Sequence, residues 1–96
     1  MYKLSEAAAD DLQDILFRSL LDFGVEQTET YVQSLTRCLE LLGDHPEMGR
    51  TIDEIRTGYR CFLHESHVIF YTPREHDILI VRILHKRMDA TRNLPR

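Results

Sequence analysis

The feature that most constrains the fold is a change in the spacing of apolar residues about halfway along the chain. Between residues 6 and 42 they recur every three or four positions, which places them on one face of an α-helix. Between residues 59 and 84 they alternate with polar residues or run together, as in β-strands. A chain that carries its helices first and most of its strands afterwards is predicted to form an α+β domain.

Two glycines divide the helical half into two helices. Ser5 offers a side-chain oxygen to the free N–H groups at the start of the first helix, and Gly24 ends it. The second helix starts at about Glu26 and ends at Gly43. Because the joint between them is short, we expect an antiparallel helix hairpin. Its apolar stripes are Ala8, Leu12, Ile15, Leu16, Leu20 and Phe23 in the first helix, and Tyr31, Leu35, Cys38, Leu39 and Leu42 in the second.

The remaining elements are predicted strands joined by loops and polar turns. A short strand covers residues 2–4, and a loop that contains Pro46 and Gly49 leads from the helices to the sheet. Three further strands are predicted at residues 59–65, 67–72 and 78–84, and the last is apolar enough to lie in the interior of the sheet. The predicted order is β-α-α-β-β-β in one domain, residues 1–96, with the hairpin packed on one face of a small, mostly antiparallel sheet.

Charge argues against a dedicated nucleic-acid binder. The 96 residues carry 12 basic and 16 acidic side chains, a net charge of −4, whereas such binders need an excess of Lys and Arg. The basic residues concentrate in residues 49–96, which hold nine of them against six acids, so only this half offers a surface for an anionic partner. With no leader and no apolar run of about 20 residues, we expect a soluble cytoplasmic protein without a membrane contact.

No motif for a cofactor or a metal stands out. His64 and His67 flank a predicted turn and could meet across it, but two histidines without a third ligand make a weak zinc site. Cys38 and Cys61 lack the spacing of a thiolate site, and we expect both to be buried as small apolar side chains. Nucleotide-binding glycine loops are absent, and the acidic pairs are interpreted as helical surface charge. We therefore predict neither a metal nor a cofactor.

The best-placed candidate cluster directly follows the central strand. Residues that leave a packed strand are held by a rigid support while they face solvent. Here they are His85, Lys86, Arg87 and Asp89, and Arg60 on the neighbouring hairpin could join them. An imidazole beside two cations could bind phosphate or assist proton transfer. The alternative is a purely local role, in which Asp89 caps a turn or pairs with Arg87 and His85 packs on the sheet.

Taken together, several short motifs resemble the ParE toxins of the RelE/ParE superfamily over residues 2–92. The resemblance rests on Leu4-Ser5 with Ala8, Asp11-Leu12 and Ile15, then Phe23-Gly24 with Gln27 and Tyr31, residues 46–50, Gly58-Tyr59-Arg60, residues 66–71 and residues 82–89. It implies a non-catalytic toxin that inhibits DNA gyrase by stabilising the cleaved complex. It also implies a ParD-like antitoxin that neutralises the toxin and supplies any contact with DNA.

The RelE-like branch of the superfamily implies a different activity, ribosome-dependent cleavage of messenger RNA. This chain carries Phe62 and Val68 at strand positions that are basic in those ribonucleases, and Asn93 near their C-terminal Tyr. Arg60, His85 and Arg87 would remain as catalytic candidates. A third possibility keeps only the fold, in a family member that is no longer toxic.

The family commonly binds its antitoxin through coupled folding, with a helix laid along exposed apolar surface. Phe17, Leu21 and Val25 lie off the main apolar stripes of the predicted helices, so they are candidates for this contact. The alternative is that they border the core.

Overall fold

A computed structural model describes residues 1–95, and Arg96, one of the basic residues counted above, lies outside the described residues. Five strands and two helical segments follow one another in the order β1 (Tyr2–Leu4), α1 (Glu6–Asp44), β2 (Arg50–Thr51), β3 (Arg60–His64), β4 (His67–Pro73), β5 (Ile78–His85) and α2 (Ala90–Asn93). A short 3-10 turn, Pro46–Met48, lies between α1 and β2.

Helix α1 is folded back on itself at Gly24. It begins at Ser5, whose hydroxyl accepts a hydrogen bond from the N–H of Ala8 at 3.0 Å. At Gly24 the backbone takes φ 84° and ψ 178°, a conformation essentially restricted to glycine. A straight helix of this length would extend about 58 Å, whereas the longest dimension of the fold is 38 Å. The segment therefore consists of arm 1 (residues 6–23) and arm 2 (residues 25–44).

The strands form one sheet in the order β1-β5-β4-β3-β2. Strand β1 pairs with β5 in parallel, and all other neighbouring pairs are antiparallel. The interior position predicted for residues 78–84 is confirmed, because β5 lies between β1 and β4.

Both faces of the sheet are covered. Arms 1 and 2 pack on one face, and this core contains Ala8, Ile15, Leu35, Leu39, Leu42, Ile69, Tyr71, Ile78, Ile80 and Ile83. A smaller core lies on the opposite face and contains Ile52, Cys61, Phe70, Leu84 and Leu94. The Arg56 side chain closes this second core by donating hydrogen bonds to carbonyl oxygens of Thr91, Leu94 and Pro95. The chain from Thr91 to Pro95 is thus held against the rest of the fold.

The predicted α+β fold is confirmed, with three additions and one change. Strand β2, the 3-10 turn and helix α2 were not predicted, since none of these short segments shows a periodic pattern of apolar residues. Leu16, Leu20 and Phe23 were assigned to the apolar stripe of the first helix but are exposed. Cys38 and Cys61 are buried and free, as expected. Among residues 1–95, no helix combines the length and apolar character needed to cross a membrane.

Candidate interaction surfaces

A groove opens between the two helical arms and one end of the sheet. Its volume is about 1360 Å³, which exceeds the roughly 300–1,000 Å³ of small-molecule pockets. Arm 1 and arm 2 form its walls, and the end of β5 with the turn between β3 and β4 forms its floor. Apolar side chains that line it are Ile15, Phe23, Ile83 and Met88, whereas the Leu84 side chain packs in the core on the opposite face of the sheet. A space of this size suits a polypeptide segment better than a metabolite.

The walls of this groove are acidic. Five carboxylates line it against two arginines, Arg18 and Arg82, which leaves a formal charge of −3 with neutral histidines. The carboxylates are Asp11, Asp14, Asp22, Glu26 and Glu65. Arg18 lies 3.6 Å from the Asp14 carboxylate, and Arg82 pairs with Asp11. Both cations of the lining are therefore already neutralised.

The Arg82–Asp11 pair joins arm 1, β5 and the C-terminal segment. The guanidinium donates two hydrogen bonds to the Asp11 carboxylate, at 2.7 and 2.8 Å, and a third to the carbonyl oxygen of Asn93 at 2.8 Å. Asp11 also accepts from the backbone N–H of Ile83 at 3.0 Å. The hydrogen bonds to Asp11 raise the pKa of Arg82 above its ordinary value. This pair is a structural tie, and the sequence prediction assigned it no role.

Three histidines from neighbouring strands lie side by side at this end of the sheet. His64, His67 and His85 are paired across β3, β4 and β5. The Tyr31 hydroxyl lies 2.7 Å from Nδ1 of His67, and the Ser34 hydroxyl lies 2.8 Å from Nε2 of His64. Burial, followed by the neighbouring His85 and His64, lowers the pKa of His67.

His67 and His85 line the groove, and His64 lies beside them, hydrogen-bonded to Ser34 of arm 2. His64 and His67 do meet across the turn, the arrangement that a zinc site would need. Within residues 1–95, however, no group of three or more His, Cys, Asp or Glu side chains is placed to hold a metal ion. Burial, and then the Glu65 carboxylate, raise the pKa of Tyr31 to about 12, so its hydroxyl keeps its proton beside His67.

Four of the five residues predicted to bind a target lie together beside the groove. His85 ends β5, and Lys86 and Arg87 form the exposed turn that follows. The Lys86 N–H donates to the carbonyl oxygen of Ser66 at 2.9 Å, which fixes this turn against the neighbouring hairpin. Asp89 caps α2 by accepting from the N–H of Thr91 at 2.9 Å. Residues 85–89 are called the target loop below.

Arg60 is not part of that group. Arg60 on β3 pairs with Tyr71 on β4, which in turn pairs with Ile80 on β5. His64 is aligned in the same way, through β4, with His85. Four residues of strand separate the two levels by about 13 Å. The Arg60 guanidinium instead donates to the carbonyl oxygen of Gly49 at 2.6 Å. The expectation that Arg60 joins the target loop is therefore corrected, because the strand register places it at the far end of the sheet.

The predicted antitoxin-binding residues are strongly exposed. Phe17, Leu21 and Val25 expose 61%, 71% and 63% of their surface, so the alternative that they border the core does not hold. With the other exposed apolar residues of the same region they form the hairpin patch, which consists of Leu16, Phe17, Leu20, Leu21, Phe23 and Val25. Exposed apolar clusters of this kind mark interaction sites.

The acidic groove was missed at the sequence level. The acids were interpreted there as ordinary helical surface charge, although Asp11, Asp14 and Asp22 follow the helical spacing and share one side of arm 1. That spacing was the sequence signal for an acidic side of arm 1. Which side of arm 1 faces the groove depends on the fold at Gly24, so the sequence alone could not place it.

An exposed apolar patch beside an acidic groove marks a candidate site for contact with another protein. A family model described as ParE toxin of type II toxin-antitoxin system, parDE, matches residues 2–90. Toxin ParE1 of Mycobacterium tuberculosis is 42% identical over 94 residues, which cover 97% of this chain and 96% of that protein. Toxin ParE1 of Caulobacter vibrioides is 39% identical over 93 residues, with shares of 97% and 96%.

A solved structure shares the fold. The chromosomal ParDE TA system from P. aeruginosa contains a chain that matches with a TM-score of 0.76 at 22% identity, covering 88% of this chain and 92% of that one. The family model and the two relatives span nearly the whole sequence. This chain therefore belongs to the ParE toxin family of type II toxin–antitoxin systems, and the family resemblance found in the sequence is confirmed.

Proposed function

We propose that this protein acts in the cytoplasm as a toxin that inhibits DNA gyrase by stabilising its cleaved complex with DNA, and that a ParD-like antitoxin neutralises it. The observation that carries the proposal is membership of the ParE family over residues 2–90. The toxin itself contacts gyrase through the target loop, and contact with free DNA belongs to the antitoxin.

The geometry supports a non-catalytic toxin better than the ribonuclease alternative. Arg60 lies about 13 Å along the sheet from the level of His85, so Arg60, His85 and Arg87 do not surround one phosphodiester. The groove beside His85 has a formal charge of −3, and an RNA backbone is repelled by such a surface.

The hairpin patch is the proposed contact for the antitoxin. Phe17, Leu21 and Val25 expose more than half of their surface, and an antitoxin helix that covers them removes this apolar area from water. Because His85 and Met88 also line the groove beside the patch, an antitoxin that fills the groove would cover part of the target loop. Neutralisation then follows from steric exclusion of gyrase.

The test combines a plasmid supercoiling and cleavage assay using purified gyrase with a ribosome-bound message-cleavage assay on the same preparation. We expect linear DNA to accumulate while the message stays intact, and we expect added antitoxin to restore supercoiling. Unchanged supercoiling at large excess of the protein would contradict gyrase inhibition. Cut message with normal supercoiling would transfer the proposal to the ribonuclease activity.

A further inference from the structure

The groove between the arms combines an apolar floor with acidic walls, and both features constrain its occupant. Ile15 and Ile83, which are nearly buried, lie at the bottom beside Met88, which exposes 47% of its surface, and Phe23 links the groove to the hairpin patch. An amphipathic segment seated here could bury its apolar side against these residues while its polar side meets the walls.

Two carboxylates of the acidic wall have no ion-pair partner among residues 1–95. Asp22 and Glu26 stand on either side of Gly24 and line the groove from arm 1 and arm 2. Within residues 1–95, neither carboxylate forms an ion pair, whereas Asp11 and Asp14 are paired with Arg82 and Arg18. Two of the three unbalanced carboxylates therefore lie at the tip of the hairpin, next to the exposed apolar patch, and the third, Glu65, lies in the turn between β3 and β4.

We propose that the groove binds a lysine- or arginine-bearing amphipathic segment of the antitoxin, with its cations beside Asp22 and Glu26 and its apolar face on the hairpin patch. This inference rests on the proposed function, which supplies an antitoxin as the partner. It adds the chemistry of the segment: the part that enters the groove is cationic, whatever the charge of the rest of the antitoxin.

Charge complementarity decides against the other occupants. Residues 1–48 carry ten acids and three basic residues, so a second copy docked through the same hairpin would bring two acidic surfaces together. An acidic peptide or an RNA strand meets the same repulsion. A cationic segment is the occupant for which both the apolar contact and the electrostatic term are favourable.

The direct test uses two synthetic amphipathic peptides of roughly 18 residues, long enough to form a helix on binding. Both carry the same leucine face, and one carries lysine and the other glutamate on its polar face. We expect the lysine peptide to bind the full chain at least about tenfold more tightly at low salt. This advantage should shrink at about 300 mM salt, because the charges on the rim are screened.

A matched pair of variants assigns the effect to the groove. Asp22→Asn with Glu26→Gln removes two charges from the groove, and Glu40→Gln with Glu75→Gln removes two exposed charges outside it. We expect the first pair to weaken binding of the lysine peptide about threefold or more and the second to leave it nearly unchanged. Equal effects of the two pairs, or equal affinity for both peptides, would overturn the inference. Preferential binding of a single-stranded RNA oligonucleotide, or self-association that the lysine peptide does not displace, would overturn it as well.

The same variants separate this inference from the proposed function. If the antitoxin fails to neutralise gyrase inhibition by the wild-type chain, the proposed function fails. If it neutralises the wild type and the Asp22→Asn, Glu26→Gln variant equally well at every salt concentration, the antitoxin proposal stands and the cationic segment is wrong.

Discussion

At the scale of single residues, the histidines of the groove floor illustrate how neighbours change a side chain's behaviour. His67 is hydrogen-bonded to Tyr31 and stacked edge-on against His85, with ring centroids 5.6 Å apart. His64 lies on its other side, and Glu65 follows in the turn. The imidazole is thus enclosed by groups from arm 2, β3 and β5, and the protonated form loses solvation without gaining a close carboxylate.

This environment predicts a pH dependence of stability. Burial, His85 and His64 lower the pKa of His67 below its ordinary value of 6.5. Below that pH the unfolded chain binds a proton at His67 before the folded chain does, so the free energy of unfolding falls as the pH decreases. We expect His67→Asn, which keeps a polar group near the Tyr31 hydroxyl, to reduce this fall. Urea denaturation at about pH 7.5 and about pH 5.5 measures it.

His76 provides the control for this prediction. Its side chain is 89% exposed in the turn between β4 and β5, so its surroundings change little on unfolding. His76→Asn should leave the pH dependence of the wild type intact. An unchanged pH dependence in His67→Asn would mean that other groups cause the loss of stability in acid.

At the scale of elements, the break in α1 determines where the candidate interaction surfaces lie. Gly24 reverses the helix and brings arm 1 and arm 2 onto the same face of the sheet. Thr28, buried in arm 2, donates its hydroxyl to the carbonyl oxygen of Gly24 at 2.7 Å and ties the new helix start to the break. The groove and the hairpin patch both depend on this reversal.

The backbone at Gly24 predicts a measurable cost for any L-residue there. An added methyl group would meet nothing within 4 Å, so Gly24→Ala tests the backbone conformation alone. We expect it to lower the free energy of unfolding by about 1–3 kcal/mol, measured by urea denaturation. A synthetic chain with D-alanine at position 24 should keep or exceed the wild-type stability, because D-residues favour positive φ. Equal losses for both forms would rule out backbone strain as the cause.

At the scale of the whole molecule, two surfaces flank the acidic groove. The hairpin patch lies on arm 1 and at the break, and the target loop follows β5, while His85 and Met88 belong to both the loop and the groove lining. The Arg82–Asp11 pair connects the two sides through arm 1, β5 and the C-terminal segment. The surfaces are therefore adjacent, but their outermost side chains are different residues.

This layout predicts that antitoxin binding and gyrase inhibition can be separated by mutation. Phe17→Ser with Leu21→Ser should weaken the antitoxin complex at least about tenfold, as measured by calorimetry, and leave gyrase inhibition intact. Lys86→Gln with Arg87→Gln should weaken gyrase inhibition and leave the affinity for the antitoxin intact. Parallel losses of both activities in either double variant would contradict the separation of the two surfaces.

Control variants make the same types of substitution at exposed positions outside the hairpin patch and the target loop. Leu41→Ser with Leu63→Ser replaces two exposed apolar residues outside the patch, and Lys3→Gln with Arg37→Gln removes two exposed cations outside the loop. Both control pairs should behave like the wild type in both assays. Circular dichroism on each variant verifies that the chain remains folded.

The sequence by itself determined the two helical arms, four of the five strands and their order. Helical spacing, the Ser5 cap and the glycine at position 24 are local signals, since each acts through the backbone of its own neighbours. The nearly continuous apolar run of residues 78–84, interrupted only by Arg82, likewise predicted a covered, interior strand. Four of the five predicted target residues are neighbours in the chain, and the position of Phe17, Leu21 and Val25 off the apolar stripes made them candidates for an exposed contact but left open that they border the core.

Only the tertiary structure decided how distant parts meet. Strand register placed Arg60 at the opposite end of the sheet from His85 and aligned His64, His67 and His85 at one level. The fold at Gly24 turned the acidic side of arm 1 into the groove and left Leu16 and Leu20 exposed. Register and arm orientation are set by packing between residues far apart in the chain, and a local pattern in the sequence does not contain that information.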